Sequence, residues 1–455
     1  MMKNISKYII LLAAVVLWSC EPKVDEFSPS NGSADFTTFV AVGDSYTAGY
    51  TDGALGARGQ NESFSVILAN QLENVGSAAY NQPLVQSEGS VGTTVINEQG
   101  ALNGYFELSI VGGSLAPVPT AGDMAIFGEQ VYNADNQNFG VPGAKSYHLL
   151  ASGFGNPAAG VGNYNPFYTR FMSSGSASVL EDALATDPSF VSLWIGCNDV
   201  LGYALEGGED DMITPPADFA NYMGMLASSL YTGDTKGALA NIPSINALPY
   251  FNAVTYNALV IDQATADMLN AHPSYVQYNA GSEALGLPKI EFVAGANALV
   301  IVDEDYEHPG KIRQMVEGEK VILSASSSIS NPDIGWGYIA PLAAKYVLDE
   351  EEVEAINAAT LAYNKTIKTL CGQFDLAHVD LHAVMDQLDD TGVIIDGNHY
   401  TTTFVTGGVF SLDGIHASGR GSAIIANAFI EAINAEYNAS VPLANVNDYD
   451  MVEFP

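Results

Sequence analysis

The sequence predicts an α/β fold built around a parallel sheet. Two observations carry that expectation. From Phe36 onward, short apolar runs of strand length alternate with longer stretches whose apolar residues recur at helical spacing, the pattern of strands joined by crossover helices. Composition agrees: 455 residues, 47% hydrophobic and 10% aromatic, give ample apolar surface for one large domain with insertions or two ordinary ones, and exclude wholesale disorder.

Residues 1–20 read as a targeting segment outside the fold. Lys3 and Lys7 form a basic start, Tyr8 to Trp18 is an apolar run too short for a typical spanning helix, and Ser19-Cys20 follows. Leu17-Trp18-Ser19-Cys20 resembles the lipobox of a bacterial lipoprotein signal, with Trp18 bulkier than the small residue usual there. The resemblance implies cleavage before Cys20 and lipidation of Cys20, hence a membrane anchor. The alternatives are an ordinary secretory signal or an uncleaved anchor. Residues 21–35, polar and carrying Pro22, Pro29 and Gly32, read as a flexible tether. Glu21, Asp25 and Glu26 resemble the surface-export signals of some bacterial lipoproteins. The expected location is therefore the outer membrane, with exposure at the cell surface as a further step.

The folded part is expected over 36–440. Its first strand, Phe36 to Val42, runs into Gly43-Asp44-Ser45, where the apolar pattern breaks and a helix can begin. A serine hydroxyl then stands at the carboxyl edge of a strand, beside backbone N–H groups and a helix dipole that favour developing negative charge. Asp44 reads as a residue that orients the turn. A helix over Glu62–Glu73 follows, then Asn138-Phe139-Gly140-Val141-Pro142-Gly143-Ala144, a glycine-rich turn entering a helix, where the Gly143 N–H faces an incoming oxygen without a side chain in the way.

Further along come a helix over Ser178–Ala185, a strand over Phe190–Ile195, a helix over Ala217–Leu230 and a strand over Ala238–Ile242. The strand from Phe190 leads into Gly196-Cys197-Asn198, and the Asn198 amide can donate a second hydrogen bond to an oxyanion. A long helix over Glu350–Cys371 is marked by Val353, Ile356, Leu361, Ile367 and Leu370 after an acidic first turn. A strand over Leu376–Val379 and a last helix over Gly421–Tyr437 complete the scaffold, with 441–455 as a C-terminal extension. Just before that helix, Asp413 precedes His416 by three residues, a spacing that lets a carboxylate hold one imidazole nitrogen while the other faces a serine. Stretches 76–137 and 246–338 are too long for simple loops and read as insertions that shape a substrate pocket at one edge of the sheet.

Charge narrows the partners. Fifteen Lys+Arg against 52 Asp+Glu give a net charge of −37, and loss of Lys3 and Lys7 on cleavage would make it −39. Such a surface repels nucleic acid and anionic headgroups, so neither is expected as an electrostatic partner. Beyond Cys20, Cys197 and Cys371 remain, either paired or as two buried thiols.

The four stretches around Ser45, Gly143, Asn198 and Asp413/His416, in that order, resemble the four sequence blocks of the SGNH (GDSL-type) hydrolase superfamily. The resemblance runs from Phe36 to about Tyr437. It implies a flavodoxin-like three-layer α/β/α sandwich and a serine-dependent hydrolysis of carboxylic esters through an acyl-enzyme on Ser45. His416 falls on the base and Asp413 on its orienting acid, while Ser45, Gly143 and Asn198 fall on the three oxyanion donors. Tyr46 stands where the name-giving leucine would be, a departure not expected to touch the chemistry. Asn241-Ile242-Pro243, Leu248-Pro249-Tyr250 and Ala426-Asn427-Ala428-Phe429 also resemble large lipase-like members. No cofactor and no metal are expected. The substrate would be a small-molecule or glycan ester: lipid or short-chain acyl esters first, acetylated polysaccharide as the alternative, and a non-catalytic glycan- or lipid-binding role as a third reading.

Other residues suggest less. His378 and His382 are four apart, but Val379 and Leu381 alternate as in a strand and no third ligand is evident. Glu206, Glu209, Asp210 and Asp211 lack the spacing of an EF-hand loop and read as a solvated loop. His148, His272, His308 and His399 have no chemical company. Tyr250-Phe251 and Trp336-Gly337-Tyr338 either line a pocket or cap the core.

Overall fold

A computed structural model describes residues 28–92, 102–111, 113–209, 211–329 and 335–455. Cys20, the targeting segment 1–20 and residues 21–27 of the expected tether lie outside these, as does Asp210.

The centre is a five-stranded, all-parallel sheet. Its strands are β1 (Phe39–Gly43), β2 (Asn138–Gly140), β3 (Phe190–Trp194), β4 (Lys236–Ala240) and β5 (Ala377–Val379), in the order β5-β4-β3-β1-β2. Every residue of β1 and β3 is buried, which is why they read as largely apolar runs rather than alternating ones, with Ser192 the one polar side chain buried in β3. Both anticipated starts were wrong by two or three residues: β1 begins at Phe39, not Phe36, and β4 at Lys236, not Ala238. Asn138–Gly140, expected as turn only, is the edge strand β2. It pairs with β1 alone, Ala41 opposite Asn138 and Gly43 opposite Gly140.

Helices close both faces. The main ones are α1 (Ser45–Ala48), α2 (Phe64–Leu72), α3 (Val179–Leu184), α4 (Asn198–Leu205), α5 (Pro216–Leu230), α6 (Glu350–Phe374), α7 (Leu381–Asp390) and α8 (Gly419–Tyr437). Phe190 and Trp194 lie four residues apart on β3 and so share one face. Phe190 meets Tyr437 of α8, and Trp194 meets Phe64 of α2, which stacks on Phe429 of α8 at 5.0 Å. The opposite face is covered by α5 and α6, joined by Phe219 stacked on Tyr363 at 4.0 Å. The ends of α6 are well specified: Asp349 and Glu352 form a reciprocal capping box, and Asp375 closes the helix in the left-handed region.

The long stretches between the scaffold elements carry structure of their own. Asn103–Val111 pairs antiparallel with Ser114–Ala121. Residues 259–314 hold two helices, Gln263–Asn270 and Pro273–Leu285, two short antiparallel ladders, and a separate small core that includes Leu269, Tyr275, Ile290 and Phe292. The described part of the tether, from residue 28, is docked beside the C-terminal extension, against the expectation of a free tether up to residue 35. Ser30 bridges Ser440, the Ser33 N–H donates to the Tyr437 carbonyl, and Ala34 and Phe36 are buried. In the C-terminal extension Val441 and Val446 are buried against the main core. Among the described residues no helix is long and apolar enough to cross a membrane.

Candidate active site

Parallel strands deliver their carboxyl ends to one edge of the sheet, and the residues that follow β1, β2 and β3 meet there. Gly43 stands opposite both Gly140 and Trp194, and the Val141 N–H donates to the Gly43 carbonyl at 3.0 Å. Ser45, Gly143 and Asn198 each lie a few residues beyond these partners. The fourth contributor is the turn 411–417, which leads into α8.

Ser45 opens α1. Asp44 caps that helix, its Oδ1 accepting the Tyr46 N–H at 3.1 Å. The other carboxylate oxygen is buried with no partner among the described residues, and burial pushes the Asp44 carboxyl up to about 7. Ser45 Oγ lies 2.8 Å from His416 Nε2, and His416 Nδ1 lies 2.9 Å from Asp413 Oδ2. A carboxylate against Nδ1 places the proton there and leaves Nε2 to accept from the serine hydroxyl. Asp413 Oδ1 also takes the Ile415 and His416 N–H groups, each at 2.8 Å, so the three-residue spacing closes a tight loop on itself. Burial alone would raise Asp413; the charge of His416, its hydrogen bond and the two backbone donors outweigh that and hold the carboxyl below its ordinary value.

Gly143 sits at φ +77°, with no atom within 4 Å of the place a Cβ would occupy, so its side is open space. Asn198 begins α4 after Gly196, whose φ of +121° makes the turn out of β3. The Asn198 amide donates to the Ala144 carbonyl at 3.0 Å, and the second hydrogen of that amide is left over for another acceptor. Asp199 ties the two loops together by accepting the Ser146 N–H at 2.8 Å and its hydroxyl at 2.7 Å.

Tyr46 was underestimated. Its hydroxyl donates to the Ile415 carbonyl at 2.5 Å and its ring lies 5.3 Å from that of His416, with Tyr50 at 4.7 Å on the same imidazole. The available signal was a large aromatic with a polar tip in the first helical turn after the serine. Beside these tyrosines is an open cleft of about 330 Å³, which Arg58, Phe106, Leu108 and the C-terminal residues 450–455 help to line. Ser45 and His416 do not line it; the cleft lies behind the turn that carries the histidine.

The remaining candidates are structural. His378 lies on β5, and His382 lies in the first turn of α7, with Nδ1 3.0 Å from the Ile242 carbonyl. Asp211 pairs with Lys145 at 2.7 Å. Among the described residues no group of three or more His, Cys, Asp and Glu side chains is arranged to hold a metal. His148 stacks on Phe154 and accepts the Lys145 N–H, and burial pulls its imidazole down to about 4. His308 packs on Tyr278, and His399 Nε2 lies 3.1 Å from the Thr391 carbonyl. Cys197 and Cys371 are free and buried, which rules out the paired alternative in this structure. Phe251 is buried in the core, Tyr250 donates its N–H to the Gly414 carbonyl at 2.9 Å, and Trp336 packs against a separate small cluster that includes Leu299 and Leu342.

Comparison with known proteins gives the family. The family model described as GDSL-like Lipase/Acylhydrolase matches residues 39–429. No curated protein matches the chain. Similar solved structures include Axe2, an acetylxylan esterase from Geobacillus stearothermophilus, at 10% identity and a TM-score of 0.34, covering 89% of this chain and 98% of that one. They also include LAE5, an alpha/beta hydrolase enzyme from the metagenome of Lake Arreo, Spain, at 12% identity and a TM-score of 0.35, covering 89% and 97%. The chain belongs to the GDSL-like lipase/acylhydrolase family and is a carboxylic ester hydrolase.

Proposed function

We propose that this hydrolase works through an acyl-enzyme on Ser45, on lipid or short-chain acyl esters, as an exported lipoprotein anchored through Cys20. The observation that carries the mechanism is the continuous chain Ser45 Oγ, His416 Nε2, His416 Nδ1, Asp413 Oδ2, with links of 2.8 and 2.9 Å. His416 takes the Ser45 proton as Oγ attacks the ester carbonyl, and Asp413 stabilises the imidazolium that results. The oxyanion is held by the Ser45 and Gly143 N–H groups and the spare Asn198 amide hydrogen, each donor worth roughly 10²–10³ in rate. His416 then protonates the departing alcohol, and water, deprotonated by His416, releases the acid and restores Ser45.

Protein lacking residues 1–20 is expected to hydrolyse p-nitrophenyl acetate and butyrate. Rates across acyl chain length, set beside acetate release from acetylated xylan, separate the substrate readings: preference for the polymer would replace the lipid-ester assignment with carbohydrate deacetylation. Equal inertness of wild type and Ser45→Ala over the whole panel would favour a non-catalytic binding role. Cys20→Ala should move the full chain from the membrane fraction to the soluble one, and retention there would count against the lipid anchor.

A further inference from the structure

Residues 51–54 form a two-residue hairpin turn closed by mutual Thr51 and Ala54 backbone hydrogen bonds, with Asp52 at φ +47° and Gly53 at φ +76°. Positive φ at both central positions is the geometry that Asp-Gly, Asn-Gly and Gly-Gly adopt. Turn preference alone therefore accounts for an Asp here, but not for what its carboxylate does. Oδ1 accepts the Leu412 N–H at 2.7 Å, and Oδ2 accepts from the Arg58 guanidinium, also at 2.7 Å.

The rest of the turn points the same way. The Asp52 N–H donates to Ser411 Oγ at 3.0 Å, the Thr51 hydroxyl to the Ala417 carbonyl at 3.0 Å, and the Gly53 N–H to Asp413 Oδ2 at 2.8 Å. The oxygen of Asp413 that holds His416 thus has a second donor supplied by this hairpin. Arg58 is fixed in turn above the Tyr105 ring, 4.2 Å from its centroid. The carboxylate of Asp52 is 17% exposed and sits between a backbone donor and a cation, so both its oxygens are used. Nothing else in the turn grips the backbone of the residue immediately before Asp413.

We propose that Asp52 is a positioning residue for ester hydrolysis: its carboxylate pins the turn bearing Asp413, keeping Asp413 and His416 in register with Ser45. This rests on the reading of Ser45 as nucleophile. Asp52 itself touches no reacting atom; it acts through Leu412 and Asp413.

Two variants separate this role from the turn itself. Asp52→Gly keeps a turn-compatible residue and removes the carboxylate; Asp52→Asn keeps the turn and one acceptor oxygen for Leu412. With p-nitrophenyl butyrate, Asp52→Gly should lower kcat by about 10- to 100-fold, the scale of a small misplacement of catalytic groups, with KM within about threefold. Asp52→Asn should recover most of that loss. A kcat for Asp52→Gly within about twofold of wild type, or an Asn variant as slow as the Gly one, would overturn the proposal. Labelling by a fluorophosphonate keeps the two readings apart. If wild type labels at Ser45 and Asp52→Gly labels at the same rate, only the Asp52 role falls; if wild type neither labels nor turns over, the serine mechanism falls and takes this role with it.

Discussion

Tyr46 shows how much of the site rests on single side chains beside the reacting ones. Its hydroxyl holds the Ile415 carbonyl while its ring supports His416. Tyr46→Phe keeps the ring and strands the carbonyl, so it should cost about 1–2 kcal/mol in denaturant unfolding, with a kcat loss of a few fold. Equal stability of Tyr46→Phe and wild type would mean that the bond contributes nothing. Activity should also decline at acid pH, because protonated His416 cannot accept the Ser45 proton. A rate that stays flat from acid to neutral pH would argue against His416 as the base. At this scale short local patterns were enough to name Ser45, Gly143, Asn198, Asp413 and His416 as candidates, and the structure joins Ser45, His416 and Asp413 by hydrogen bonds. Asp52 could not, because its partners Ser411 and Leu412 are some 360 positions away in the chain and Asp-Gly reads as a turn and nothing more.

Elements were legible where burial imposes a simple period, and obscure where it does not. β1 and β3, buried throughout, and α6, with its acidic capped start, stand out in the sequence. β2 does not, because three residues pairing on one side only need no apolar run, and Asn138 is buried to bond the Thr47 carbonyl rather than to pack. The start of α7 was masked by the adjoining β5: His378 belongs to the strand and His382 to the helix, so their spacing of four spans two elements. Two substitutions probe elements directly. Gly196→Ala would place a Cβ 2.7 Å from Ile242 and 2.8 Å from Phe219 at φ +121°, so it should cost about 1–3 kcal/mol and displace Asn198, lowering kcat as well. Asp349→Ala removes the cap of α6, far from Ser45 in the chain, and should cost about 1 kcal/mol in unfolding with kcat unchanged.

At the scale of the whole molecule, charge and burial act together. Burial pushes Asp44 and Glu352 up to about 7 and Asp52 up to about 6. A carboxyl whose folded value lies above its unfolded one binds its proton more tightly when folded, so these groups weaken the fold as pH rises from about 4 to about 7. The net charge of −37 adds self-repulsion over the same range. Thermal stability should therefore be higher at pH 5.5 than at pH 8, and added salt should raise it at pH 8. Asp413 runs the other way: its lowered value contributes stability that is lost only as pH falls below the ordinary carboxyl range. A Tm that climbs steadily from pH 5 to pH 8 would contradict this balance. The small separate core within residues 259–314 was not readable in the sequence, because its apolar residues are scattered across non-local contacts rather than set in one periodic run.

All of this turns on one covalent bond. Mass spectrometry of the protein quenched during turnover of p-nitrophenyl butyrate is predicted to show one butyryl group on the peptide carrying Ser45. In Ser45→Ala both the adduct and the turnover should vanish while the fold is kept. Sustained turnover with no adduct on that peptide, and a Ser45→Ala variant as fast as wild type, would contradict the account.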